Sequence, residues 1–247
     1  MPNKLWVEKY RPKSISDYIF QNEDHQKRFL KFIEDKSIPH LLLSGHRGTG
    51  KTTLAFILKA ELEIEDADLK ILNASDENSI DTIRNSIKGF AQTLPMGEFK
   101  IVFMDEADYL TPNAQAALRR MMEEYSDTVR FILTCNKVHK IIPEIKSRVQ
   151  EFVFNEFDKK KAAAYAVKIL KKEGVEFSKE KLVEYIKLSY PDMRKLIQMM
   201  QQNVVDGVLQ DPVENSGIVK TMAEVTIYLK DDDWVTAREK AVESIGE

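Results

Sequence analysis

The stretch Gly45-His46-Arg47-Gly48-Thr49-Gly50-Lys51-Thr52 carries the pattern G-x-x-x-x-G-K-[ST]. Its glycines let backbone N–H groups turn inward around bound phosphates, at the start of a helix that already favours anions. Lys51 is placed to reach the β and γ phosphates as a point charge, and the Thr52 hydroxyl to ligate Mg²⁺. The expected nucleotide contacts run from Gly45 through Thr53, with His46 and Arg47 filling variable positions that need no special role. A second group of candidates closes the apolar run Lys100 to Met104 with Asp105-Glu106. The first acid can hold the metal. The second, Glu106, can polarise an attacking water, a task for a carboxylate close to the metal but not bound to it. Two acids at a strand end are common; beside a matched phosphate loop they form one hydrolytic site.

Asn136 follows the apolar run that ends Thr134-Cys135 and can present its amide to the γ phosphate or the lytic water. Asn136-Lys137-Val138-His139 fails as a guanine-specifying N-K-x-D, because His139 replaces the Asp that would bond the guanine amino group. ATP is therefore expected over GTP. Asp105-Glu106-Ala107-Asp108 spells the signature of DEAD-box helicases, but no second α/β motor unit follows it.

Short apolar runs supply the scaffold: His40 to Ser44, Leu69 to Asn73, Lys100 to Met104, Arg130 to Thr134 and Glu151 to Phe154. They read as buried parallel strands. Helical segments separate them, the clearest with Thr111 as N-cap, Pro112 at the first helical position and an apolar stripe through Ala114, Leu118, Met121 and Met122. The phosphate loop itself lies between a strand and a helical stretch from Thr53 to Leu62. This alternation predicts a doubly wound α/β domain over residues 1–156, with ligands at the carboxyl ends of the strands. After Asp158 the pattern turns helical throughout, which predicts an all-helical lid over 157–229. Its first helix stops at Gly174, Ser178 caps the next, and Pro191 opens a third that ends near Gly207. Lys159, Lys160 and Lys161 read as a solvated helix start. A further amphipathic helix opens at Asp231, the start of a third segment over 230–247.

A length of 247 residues suggests about two domains. Hydrophobic residues at 43% and charged residues at 31% describe an ordinary globular chain. The net charge of −3 means that any attraction to nucleic acid must come from a local patch. The single Cys135 lies in an apolar run and reads as a buried thiol in a reducing compartment. No stretch approaches the roughly 18 apolar residues of a membrane span, and the charged N-terminus lacks a signal-peptide core. A cytoplasmic location is expected.

Several co-ordered stretches resemble the AAA+ clamp-loader ATPases, the small subunits of replication factor C and their archaeal and phage relatives. They are Trp6-Val7-Glu8-Lys9-Tyr10-Arg11-Pro12, Leu72-Asn73-Ala74-Ser75-Asp76, Ala117-Leu118-Arg119-Arg120-Met121-Met122-Glu123 and Ser147-Arg148. The resemblance covers essentially the whole chain. It implies that Val7, Tyr10, Arg11 and Pro12 lie against the adenine and that Asn136 is a sensor on the central strand. It further implies that Arg148 is an arginine finger reaching a neighbouring subunit's ATP, where a guanidinium in trans stabilises transition-state charge. Pro191-Asp192-Met193-Arg194 resembles the second sensor, so Arg194 would approach the γ phosphate from the lid.

The resemblance also implies a pentameric ring or spiral of clamp-loader subunits, a sliding clamp and primer-template DNA as partners. Backbone contacts to DNA would fall to Arg84, Lys88 and Arg119. Clamp contacts would fall to Phe90, Leu94, Pro95 and Met96. Read singly, each of these cations is a solvated charge and the Phe90 to Met96 stretch a loop folded onto the core. Two departures stand out. Val149 replaces the Cys of the family's Ser-Arg-Cys, and the chain stops near the start of the family's collar domain, so that either it is a fragment or its oligomer is held differently. The implied function is ATP-driven loading of a clamp onto DNA. The alternatives are a non-hydrolysing scaffold subunit, disfavoured by intact Lys51, Thr52, Asp105 and Glu106, and a branch-migration motor, disfavoured by the Trp6 to Pro12 signature.

Overall fold

The computed structural model describes residues 4–76 and 79–212. Helices α1 (Trp6–Lys9) and α2 (Glu23–Glu34) precede strand β1 (Leu41–Gly45). Then α3 (Lys51–Glu61), β2 (Leu69–Asn73), α4 (Ile80–Ala91), β3 (Lys100–Asp105), α5 (Pro112–Glu124), β4 (Val129–Cys135), α6 (Pro143–Lys146) and β5 (Gln150–Phe154) alternate. Helices α7 (Lys159–Lys172), α8 (Lys179–Ser189) and α9 (Met193–Gln202) follow, and a hairpin of β6 (Val204–Val205) and β7 (Val208–Leu209) comes after them.

The first five strands form one parallel sheet in the order β2-β3-β4-β1-β5. Each lies within one residue of the run expected from sequence. Burial on both faces explains the continuous apolar runs of the inner strands β1, β3 and β4, whereas the edge strands β2 and β5 leave Ile71, Glu151 and Val153 exposed. Successive side chains still point to opposite faces. Leu42 packs in a core with Ile83, Ile87, Leu118 and Met122 from α4 and α5. Leu41 and Leu43 pack in another with Phe29, Leu54, Ile57 and Leu58 from α2 and α3. Burying one such leucine contributes about 2 kcal/mol, and Leu42→Ala would cost about 2–5 kcal/mol by leaving a cavity.

Local signals behave as read. Thr111 Oγ1 accepts from Ala114 N at 3.2 Å with Pro112 at the first turn of α5. Ser178 Oγ accepts from Lys181 N at 3.2 Å at the head of α8. Gly174, at φ +67°, follows the end of α7. Lys159, Lys160 and Lys161 are exposed.

Two expectations for the later region are corrected. It is not helical throughout, because Val204 pairs with Leu209 and Val205 with Val208 in an antiparallel hairpin. Its turn is Asp206-Gly207, at φ +50° and +77°, a pair of positive-φ residues that matches strand twist between β-branched neighbours. Nor does Pro191 open the third helix: α9 starts at Met193, capped by Asp192, and ends at Gln202, while Gly207 serves the hairpin. The missed signal is the Asp-Gly dipeptide flanked by valines. The expected helix from Asp231 and the segment 230–247 lie outside the described residues, as does 213–229.

The N-terminal segment joins the helical bundle. Trp6 is buried among Ile169, Leu170, Tyr185 and Leu196, and its N–H donates to Gln201 Oε1 at 2.7 Å. The Tyr165 hydroxyl donates to Tyr10 O, and the Tyr10 hydroxyl to Glu173 Oε1 at 2.6 Å. This strap carries residues 7–12 across to the carboxyl end of the sheet, where the phosphate loop begins.

Candidate nucleotide site

Strand β1 ends in Gly45, whose φ of +134° turns the chain into the loop. A Cβ there would stand 2.2 Å from Phe154 O on the adjacent β5, so only glycine lets the two strands stay paired. Gly48, at φ +71°, faces α9: a Cβ would stand 1.7 Å from the Asp192 carboxylate, and Gly48 O accepts from Met193 N at 3.2 Å. The lid helix thus touches the phosphate loop directly.

Lys51 is buried, and its ammonium donates to Gly45 O at 2.8 Å, His46 O at 2.6 Å and Asn136 Oδ1 at 3.1 Å. Burial pushes its pKa down to about 8; the Asp105 and Asp108 carboxylates oppose that and the Arg194 charge adds to it. The Thr52 hydroxyl donates to both Asp105 oxygens, at 3.1 and 3.2 Å. One hydroxyl beside one carboxylate is a hard-oxygen set that suits Mg²⁺, which keeps waters and takes substrate phosphate oxygens as its other ligands. Among the described residues no cluster of three or more Asp, Glu, His or Cys could hold a metal unaided, so the fit is to a metal that arrives with phosphate.

Glu106 follows in the left-handed region, at φ +56° and ψ +40°. Its N–H donates to Thr134 Oγ1 at 3.0 Å, and that hydroxyl in turn donates to Asp105 Oδ1. For a glutamate this backbone conformation costs about 1 kcal/mol, and the paired β3 and β4 strands hold it there. Asn136 is positioned by Asp108, a buried acid that accepts from Asn136 N and Lys137 N at 3.2 Å each.

A cleft of about 480 Å³ gathers most of the expected residues: Val7, Tyr10, Arg11, Pro12, Arg47, Gly48, Thr49, Gly50, Lys51, Thr52, Thr53, Asp105, Glu106, Asn136 and Arg194. Arg11 Nε donates to Thr53 Oγ1 at 3.1 Å. The His46 side chain is exposed and outside the lining. Sequence reasoning missed four contributors. Tyr18 donates to Thr49 O at 3.3 Å and backs Gly50, Tyr165 anchors Tyr10, and Thr134 and Asp108 aim the acids and Asn136. Asp108 sat in view as the fourth letter of the acidic motif; Tyr18 and Tyr165 carry no local signal.

Arg148 is outside the cleft. Its Nε donates to Glu123 Oε1 at 2.9 Å and its Nη1 to Glu144 O at 2.6 Å, and Glu123 also meets Arg119 at 3.4 Å. Arg84 and Lys88 are exposed on α4. Leu94 and Met96 stand 87% and 75% exposed, whereas Phe90 is half-buried against the core with Lys100 Nζ 4.7 Å from its ring centroid. Pro95 is half-buried between the two exposed tips. Cys135 is buried, and burial pushes its thiol up to about 12, as a core residue and not a nucleophile.

The sequence model of the AAA family, ATPase family associated with various cellular activities, matches residues 41–157. Among solved structures, the Thermotoga maritima RuvB Holliday junction branch migration motor superposes with a TM-score of 0.65 at 20% identity, covering 87% of this chain and 73% of that one, a likeness of fold alone. The replication factor C small subunit of Sulfurisphaera tokodaii is 41% identical over 244 residues, 96% of this chain and 74% of the relative. That of Methanococcus vannielii is 44% identical over 249 residues, 96% and 78%. That of Archaeoglobus fulgidus is 45% identical over 212 residues, 84% and 66%. This chain therefore spans about two thirds to three quarters of the length of these relatives. With that identity along nearly all of its own length, the chain belongs to the replication factor C small-subunit family of AAA ATPases.

Proposed function

We propose that this chain is an ATP-hydrolysing subunit of a sliding-clamp loader. It grips clamp and primer-template DNA when ATP is bound and releases them on hydrolysis. The observation that carries the reading is the division of polar and charged groups. Lys51, Thr52, Asp105, Glu106, Asn136 and Arg194 face one cleft, and Arg148 stands outside it on the same chain. A site lacking its own finger waits for a neighbour.

In this reading Lys51 and the loop amides hold the β and γ phosphates, and Val7, Tyr10, Arg11 and Pro12 seat the adenine. Mg²⁺, held by Thr52 and Asp105, would neutralise charge building on the phosphates. Glu106 takes a proton from the attacking water, Asn136 orients that water or the γ phosphate, and Arg194 reads the γ phosphate from the lid. Residues 1–156 act as the ATPase domain and 157–229 as the lid, with 230–247 beginning the collar. Arg84, Lys88 and Arg119 contact DNA phosphates, and Leu94 and Met96, with Phe90 and Pro95 behind them, contact the clamp. The relatives' name, replication factor C small subunit, supports a place in a multi-subunit replication assembly, and their archaeal sources support a cytoplasmic site of action. No helix among the described residues is long and apolar enough to cross a membrane.

The test is copurification of the tagged chain at native level, followed by the mass of the complex. A multi-subunit assembly that retains the clamp when ATP is present is expected. A chain that stays monomeric and ignores both clamp and DNA overturns the loader assignment.

A further inference from the structure

Four charged side chains among the described residues are less than a tenth exposed: Lys51, Asp68, Lys100 and Asp108. Lys51 lines the nucleotide cleft, and Asp108 holds Asn136 there from behind. Asp68 and Lys100 lie at the other end of the sheet, and both bind the loop that joins α4 to β3. Lys100 Nζ donates to Phe90 O at 3.0 Å and to Thr93 Oγ1, at the loop's first foot. Asp68 Oδ2 accepts from Met96 N at 2.7 Å and Gly97 N at 3.0 Å, at its second foot.

These anchors are neighbours across the sheet. Asp68 precedes Leu69, Lys100 precedes Ile101, and Leu69 pairs with Ile101. A buried charge is tolerated only when its hydrogen bonds are made, so each anchor ties its foot of the loop to one conformation. Neither ion pairs with the other or with another charged side chain in the salt bridges of the described residues. Their partners are backbone groups and one hydroxyl of the loop itself. With its backbone so anchored, the loop does the opposite of one that folds onto the core: it holds the Leu94 and Met96 side chains out in solvent. Two buried charges spent on fixing a loop whose tips are apolar and exposed describe a preformed docking element.

We propose that Asp68 and Lys100 are positioning residues, holding residues 90–97 in the shape that offers Leu94 and Met96 to an apolar pocket on the sliding clamp. The proposal rests on the reading of those tips as clamp contacts. The strands that carry the anchors, β2 and β3, end at the nucleotide cleft in Asn73 and Asp105, about 15–20 Å away. The docking element and the hydrolytic acids thus share strand β3.

The test uses the full chain in its assembled complex and the clamp of the same organism, with clamp affinity measured in the presence of ATP. Leu94→Ala/Met96→Ala should weaken clamp binding at least tenfold. Asp68→Ala should weaken it about tenfold, while Asp68→Asn, which keeps an acceptor oxygen, should lose less than threefold; both should bind ATP as the parent does. Amide exchange at Met96 and Gly97 should accelerate in Asp68→Ala and stay slow in Asp68→Asn. Lys100→Met should follow Asp68→Ala in clamp affinity. If the double variant loses the clamp but Asp68→Ala binds it normally with unchanged exchange, the positioning role is overturned and the contact reading stands. If the double variant binds the clamp normally, the contact reading falls and the proposal with it.

Discussion

Lys51 Nζ donates to Asn136 Oδ1 at 3.1 Å, so the cation of the phosphate loop and the amide at the end of β4 meet directly. The ammonium also donates to Gly45 O at 2.8 Å and His46 O at 2.6 Å, two carbonyls of the loop itself.

This burial makes nucleotide binding proton-linked. The Lys51 pKa lies near 8 in the folded chain, below the ordinary lysine value of 10.5, so the folded state holds fewer protons than the unfolded one between those limits. Stability of the nucleotide-free chain gains from Lys51 as pH rises from about 8 to 10.5. Phosphate restores the charge, so binding takes up a proton above pH 8 and affinity falls by about tenfold per pH unit there. Calorimetry in buffers of different ionisation enthalpy reads the uptake directly. Lys51→Met should abolish it along with most of the affinity.

Glu106→Gln keeps the shape of the side chain and the Thr134 contact of its backbone while removing the base. ATP affinity should stay within about threefold of the parent, and turnover should fall by about 10²–10⁴. Undiminished hydrolysis would remove Glu106 from its role.

Asp192 caps α9 by accepting from Lys195 N at 2.9 Å and lies against Gly48. Asp192→Ala should lower stability by about 1 kcal/mol through loss of the cap, and Asp192→Ser should recover most of it. Gly48→Ala should be worse than either, because φ +71° and the Asp192 carboxylate both oppose a Cβ. Urea midpoints at constant slope check the ranking.

Arg148→Ala should leave nucleotide affinity of its own chain unchanged and lower turnover at the neighbouring subunit by about 10³. Complexes mixed from Arg148→Ala and Glu106→Gln chains separate the two effects. Each defect should appear on opposite sides of one interface, and a defect confined to the mutated chain would contradict the finger.

Much of this is legible in the sequence, for physical reasons that differ by element. The inner strands β1, β3 and β4, buried on both faces, are written as apolar runs, and the phosphate loop is legible because only glycine tolerates the approach of Phe154 at Gly45 and the positive φ of +90° at Gly50. Thr111 and Ser178 were visible because caps act over three residues. What stayed hidden acts across long separations. Tyr165 reaches Tyr10, and Asp68 reaches Met96, through folding and not through spacing. The hairpin after α9 was legible in Asp206-Gly207 but was overridden by the helical pattern before it.

The most direct measurement is steady-state ATP hydrolysis by the assembled complex, with and without clamp and primer-template DNA. The account predicts a slow basal rate that rises at least tenfold when both are added, and no rise in the Glu106→Gln or Arg148→Ala complexes. A rate that is the same with and without clamp and DNA, while ATP still binds, would contradict it.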